Sequence, residues 1–264
     1  MSDKQPKKPS LLERSKTKQF IDDGKIPNDD VVLMIGGKKV GSLGNFIALS
    51  GKQKSRKTAF VGALMGSAIS GNEIFSISCD LPANKNKLLH IDTEQSQYDY
   101  KNSIDRLKKL SGLKKINKTT PFDSYRLRDW TSTEIKQFLN EYLAEHKDTG
   151  VVVIDGVIDL VTDFNSIEEC KVLIDWLKHI TEIYHILFVC IIHRSKSQNF
   201  SIGHLGSFID RFAQSALEVF LGSPNEKEPN RNISSMRSEY MRSDGDFEPI
   251  SITYDVTKQT WKQI

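Results

Sequence analysis

The sequence predicts an α/β domain with a mostly parallel central sheet, helices on both faces and a C-terminal antiparallel extension. Three observations predict it. Short continuous apolar runs end at residues 49, 91, 154 and 192, and runs that are apolar throughout suit strands buried on both faces. Segments of helical periodicity separate these runs, which is the rhythm of parallel strands joined by crossover helices. After residue 215 the pattern changes to short strands at 216–221, 233–240 and 250–254 with little helix between them, and these read as the antiparallel part.

Taken in order, residues 1–9 are polar, carry two prolines and are expected to be disordered. Ser10 with Glu13 has capping-box spacing, so a short helix is expected there. Its apolar residues are too sparse for a core of their own. Residues 1–29 therefore read as a flexible basic arm whose helix docks elsewhere, on a neighbouring subunit by preference, and residues 30–264 as the main domain. Residues 31–35, Gly36-Gly37 and residues 38–40 read as strand, turn and strand, leading into a strand at 46–49. A helix over 57–70 stops at Gly71. A strand over 87–92 precedes a helix over 97–111 that stops at Gly112. Residues 122–127 read as a short strand. A helix over 132–146, a strand over 151–155, a helix over 167–184 and a strand over 186–192 complete the alternation.

Composition bounds the function. The chain has 264 residues, 38% apolar and 27% charged, with a net charge of +3, which suits a soluble domain and is too small to imply a nucleic-acid partner by itself. Cys79, Cys170 and Cys190 are widely spaced and odd in number, which argues against a disulfide framework or zinc site and suits a reducing cytoplasm. No stretch has the apolar length of a membrane span, and the polar N-terminus lacks the apolar segment of a secretion signal. A cytoplasmic location is expected.

The stretch Gly51-Lys52-Gln53-Lys54-Ser55-Arg56-Lys57-Thr58 lies between a strand and a helix start. Backbone N–H groups at a helix N-terminus attract anions, a lysine adds a point charge, and a hydroxyl directly after it can sit on Mg²⁺. It reads as a nucleotide-binding phosphate loop. It departs from the pattern G-x-x-x-x-G-K-[ST] at the sixth position, where Arg56 replaces Gly. Arg56 costs little there if it adopts the right-handed helical conformation of a first helical turn. The plainer alternative is a basic loop with no ligand.

Three more strand ends carry polar residues: Asp92-Thr93-Glu94, Asp155-Gly156 and His193-Arg194. In an open α/β sheet ligands bind outside the carboxyl ends of the strands. Asp155, after four apolar β-branched residues, can orient Mg²⁺ opposite Thr58. Glu94 is the candidate base for an attacking water, with Asp92 and Asp159 as competitors. His193 can hydrogen-bond a γ-phosphate oxygen and report its loss. Each has a plainer reading: a capping Asp, a solvated loop Glu, a structural His.

The order of these four segments, with Ile91-Asp92-Thr93-Glu94-Gln95, Ile154-Asp155-Gly156-Val157-Ile158-Asp159-Leu160 and Gly203-His204-Leu205-Gly206-Ser207, resembles the RecA/DnaB-type ATPase core over about residues 30–255. Within that group it resembles the RepA-type plasmid replicative helicases, and more narrowly the mobilisation ATPases and primase–helicases of Bacteroides mobile elements, where an Arg at the position of Arg56 is a subgroup mark. The resemblance implies a RecA-like core and an ATP- and Mg²⁺-dependent hydrolase. It further implies a homo-oligomer, with a hexamer as one form, acting on DNA (single-stranded favoured) beside other replication or mobilisation proteins of the element. Helicase activity is within its scope. It also implies a trans-acting finger, for which Arg242 is the first choice and Arg237 the second, and a DNA-contacting loop over 195–206. Arg194, Lys196 and His204 could meet phosphates there, with Phe200 as the one aromatic. Two rivals stand beside this reading: a nucleotide-gated binding module with little hydrolysis, and a P-loop small-molecule kinase.

Overall fold

The computed structural model describes residues 10–19, 30–194, 203–226 and 228–264. In chain order the helix α1 (Leu11–Ser15) comes first, then β1 (Val31–Ile35), β2 (Lys38–Ser42), β3 (Phe46–Gly51) and α2 (Lys57–Ser70). Next are β4 (Ile77–Cys79), β5 (Lys87–Asp92), α3 (Gln97–Ser111), β6 (Phe122–Arg126), α4 (Ser132–Glu145) and β7 (Thr149–Asp155). The chain continues through α5 (Ile167–Tyr184), β8 (Leu187–His193), α6 (Gly203–Phe212), β9 (Ser215–Leu221), β10 (Ile233–Met241), β11 (Ile250–Asp255) and β12 (Thr260–Gln263).

The main sheet has the order β12-β11-β10-β9-β3-β8-β7-β5-β6. Strands from β9 to β6 are parallel to one another, and β10, β11 and β12 continue the sheet antiparallel. Strand β9, read from sequence as part of the antiparallel extension, is parallel to β3 instead. The reason is α6, a crossover helix that returns the chain from β8; parallel neighbours need such a connection. That helix also takes residues 203–206 out of the loop expected there. Strands β1 and β2 do not join the main sheet. With β4 they form a separate three-stranded sheet in the order β2-β1-β4.

Two apolar cores explain the uninterrupted apolar strands. Val151, Val153, Val189 and Ile191 pack with Phe60 and Leu64 of α2 and Leu107 of α3. Their neighbours Val152, Ile154, Phe188, Cys190 and Ile192 face the other way, onto Leu139 of α4, Leu173 and Leu177 of α5 and Ile209 of α6. Alternate side chains of one strand therefore serve opposite cores. The three cysteines are free and buried. Among the described residues no helix is long and apolar enough to cross a membrane.

Helix ends follow local chemistry. Gly71 and Gly112 close α2 and α3 in the left-handed conformation. Ser96, Thr131 and Ser166 cap α3, α4 and α5 through their side chains. The expected capping box of α1 is formed, with the Ser10 and Glu13 side chains each accepting from the other's backbone N–H. Leu11 and Leu12 are exposed. Lys18 Nζ donates to Glu182 of α5 at 2.5 Å.

Candidate functional site

Strand register gathers the four polar strand ends at one edge of the sheet. Gly51 of β3 pairs with His193 of β8, Asp155 of β7 with Ile191 of β8, and Asp92 of β5 with Asp155. The phosphate-loop strand is thus beside the histidine strand, and the two carboxylate strands follow outward, Asp155 and Asp92 level with each other and two residues short of Gly51 and His193.

The loop between β3 and α2 is closely packed at its base. A Cβ at Gly51 would lie 2.5 Å from Val219 O and 2.7 Å from Ser55 Oγ, so glycine is required there. Lys54 and Arg56 have φ of 65° and 69°. Arg56 is therefore left-handed, not in the right-handed conformation expected, and occupies the backbone geometry that a glycine at this position would take without strain. A non-glycine residue there costs about 1–2 kcal/mol. Its side chain is fastened. Nη1 donates to Ile233 O (3.3 Å) and Ser234 Oγ (3.1 Å), Nη2 to Arg231 O (2.5 Å), and the guanidinium lies 5.1 Å from the Trp261 ring centre.

Lys57 is buried, and its ammonium is drawn inward. It donates to Gly51 O (2.9 Å) and Lys52 O (3.4 Å) and lies 3.0 Å from His193 Nδ1. Burial lowers its pKa, with the charges of Asp155 and Glu94 opposing. His193 Nε2 lies 2.9 Å from both Glu94 oxygens. The consistent tautomer has Nδ1 accepting from Lys57 and Nε2–H donating to Glu94. Hydrogen bonding from His193 is the main cause of a lowered Glu94 pKa. Gly156 permits this approach, since a Cβ there would lie 2.6 Å from Glu94 Oε1.

The competing carboxylates have structural duties. Asp92 is fully buried and accepts from Glu94 N–H (3.1 Å), Gln95 N–H (2.8 Å) and the Gln95 side chain. It shapes the turn that presents Glu94. Asp159 accepts from Thr93 Oγ1 at 2.5 Å, and Thr93 Oγ1 also accepts from Gly156 N–H at 2.9 Å. Asp155 is partly buried, and desolvation, reinforced by Glu94 and Asp92, raises its pKa to about 7.

The other expected site residues fall elsewhere. Arg194 is 4% exposed. Its Nε donates to Ser50 Oγ (2.9 Å), Nη1 to Glu218 (2.9 Å) and Nη2 to Glu239. It is a buried tie between β8, β9 and β10. Lys196 and Phe200 lie outside the described residues. His204 is exposed in the first turn of α6. Arg237 donates to Glu218 (2.6 Å). Arg242 is exposed just beyond β10, at the end of the sheet away from the phosphate loop, and donates to Tyr240 Oη (2.5 Å) and Arg211 O (2.7 Å).

Sequence reasoning missed residues that complete the surroundings. A cavity of about 150 Å³ beside the start of α2 is lined by Arg56, Thr58, Ser103, Arg106, Leu110 and Trp261. A more open polar cleft next to it includes Thr58, Glu94, Gln95, Arg106 and Arg128. No local pattern marks Arg106 or Trp261, because each reaches the site from an element distant in sequence.

No protein-family model matches the chain, and no curated protein matches it. Among solved structures, the crystal structure of the RadB recombinase aligns with 84% of this chain and 91% of its own, at 15% sequence identity and a TM-score of 0.52. The fold is RecA-like. In this RecA-like domain, the side chains at the strand ends could hold a nucleoside triphosphate with Mg²⁺. Ser55 Oγ is buried without a hydrogen-bond partner. No side chain caps the N-terminus of α2. Lys57 uses its ammonium on carbonyls that a phosphate could replace. Thr58 and Asp155 could ligate the metal, and the charge of a cation would relieve the desolvation that holds Asp155 up. Among the described residues no three acidic, His or Cys side chains gather as a metal cage, so phosphate and water oxygens would supply the remaining ligands.

Proposed function

We propose that the protein is a Mg²⁺-dependent ATPase that works as a homo-oligomer on DNA, in the replication or mobilisation of a plasmid or transposable element. The observation that carries this reading is the hydrogen-bonded chain Lys57–His193–Glu94, which joins the phosphate loop to a carboxylate across the strand ends. Lys57 would exchange the Gly51 and Lys52 carbonyls for the β- and γ-phosphates. Thr58 and Asp155 would hold Mg²⁺, which supplies charge neutralisation at the phosphates. Glu94, kept ionised by His193 and Lys57, would orient and deprotonate the attacking water. His193 faces both the lysine and the base, so it can link occupancy of one to freedom of the other.

DNA as partner is supported by the RecA-like fold shared with a recombinase and by the resemblance of the motif order to replicative helicases. Unwinding is the finest form of the reading. A neighbour's arginine completing the site is part of it, with Arg242 as the first candidate and Arg237 as the second. A second reading, a nucleotide-gated binding module with little turnover, is favoured by one observation: His193 engages both oxygens of Glu94, leaving the base occupied. Phosphate release with no DNA, single-stranded DNA and duplex DNA, together with native mass in ATP, separates the two. Turnover stimulated by single-stranded DNA in an oligomer supports the ATPase reading. ATP binding without turnover under every condition favours the module. A monomer in every condition contradicts the assembly.

A further inference from the structure

Arg56 stands where the backbone asks for glycine, and its side chain is held by a distant part of the chain. Its φ of 69° and ψ of 32° are left-handed. The residue directly after it is Lys57, so a change in the Arg56 backbone swings the lysine and the first turn of α2. The guanidinium does not point at the Lys57–His193–Glu94 chain. It spans the start of β10, bonding Arg231 O, Ile233 O and Ser234 Oγ, and lies against Trp261 of β12. Trp261 is itself fixed from behind by Tyr254 of β11, edge to face at a centroid distance of 5.2 Å. The outer antiparallel strands thus grip the phosphate loop through one side chain.

We infer that Arg56 is a positioning residue: anchored on the β10 start and Trp261, it holds the phosphate loop in its nucleotide-receiving shape. The C-terminal edge of the sheet thereby sets nucleotide affinity without touching the phosphates. The anchor replaces the freedom of glycine with a tertiary clamp. A lysine would not serve as well, because its compact ammonium lacks the extended fork with which the guanidinium bonds Arg231 O through one nitrogen and Ile233 O and Ser234 Oγ through another. This inference rests on the proposal that residues 51–58 bind nucleotide.

The test is equilibrium binding of a fluorescent ATP analogue to the full chain carrying R56A, R56G, R56K, W261A or R56A with W261A, each checked for thermal melting and circular dichroism. K57A is the control for the site itself. R56A keeps the Cβ and loses the clamp, so about tenfold weaker binding is expected. R56G relieves the backbone and should recover most of that loss, whereas R56K should not. W261A should weaken binding in the same direction, and the double variant should be no weaker than R56A alone. Wild-type affinity in R56A, equal losses in R56A and R56G, or additive losses in the double variant would each overturn the inference. If K57A binds as wild type does, the nucleotide site fails instead.

Discussion

His193 Nε2 stands 2.9 Å from both carboxylate oxygens of Glu94. Asp92 spends its oxygens on the turn, and Asp159 serves Thr93. Glu94 alone of the three faces the polar cleft beside Thr58.

Glu94→Gln should therefore lower ATP turnover by about 10²–10⁴-fold while leaving nucleotide affinity near wild type. His193→Ala should also lower turnover, by roughly tenfold or more, since Glu94 loses the donor that holds it ionised and aimed. Steady-state kinetics alongside equilibrium binding check both. Unchanged turnover in E94Q would remove Glu94 as the base.

Arg194→Ala should destabilise the fold rather than weaken a DNA contact. Removing the buried guanidinium takes a partner from Glu239 and leaves Glu218 with Arg237 alone, a loss of about 3–5 kcal/mol. Urea unfolding measures it. Wild-type stability combined with weakened single-stranded DNA binding would restore Arg194 to the DNA interface.

Asp155 gives a pH signature. Desolvation raises its folded pKa from the usual aspartate value of 3.8 to about 7, so the folded state favours the protonated form. That contribution is complete at low pH and is lost as pH rises toward 7, with a slope of up to roughly 1.4 kcal/mol per unit. Buried His90, pushed down to about 4, acts oppositely: its contribution is present above the usual histidine range and is lost as pH falls toward 4. The comparison of wild type with Asp155→Asn isolates the carboxylate. The stability of wild type relative to D155N, from urea unfolding across this range without ligand, should decline with rising pH. A constant difference would contradict the raised pKa.

The legible parts of this protein were those written in contiguous residues. Residues 151–154 and 187–192 showed two-sided burial because every position is apolar, and Gly71 and Gly112 marked helix ends by their own conformational freedom. The phosphate loop, Glu94, Asp155 and His193 were visible because each follows such a strand. What escaped depended on pairing across the fold. Helix α6 carries Gly203 and Gly206, poor helix formers, so the residues themselves do not mark the crossover that makes β9 parallel to β3. Arg194 looked like a cation at an open strand end, yet its N–H pairs with Gly51 O (3.0 Å) and its acidic partners lie on β9 and β10. Arg56 looked helical because α2 follows it, and the contacts that hold it left-handed come from residues 231–234 and 261.

The most direct test of the central claim is phosphate release from ATP and Mg²⁺ by wild type and Lys57→Ala, with single-stranded DNA present. Lys57 touches both the loop carbonyls and His193 of the His193–Glu94 pair. The account predicts turnover by the wild type and at least about a hundredfold loss in a K57A protein that melts normally. Equal turnover by the two proteins would contradict it.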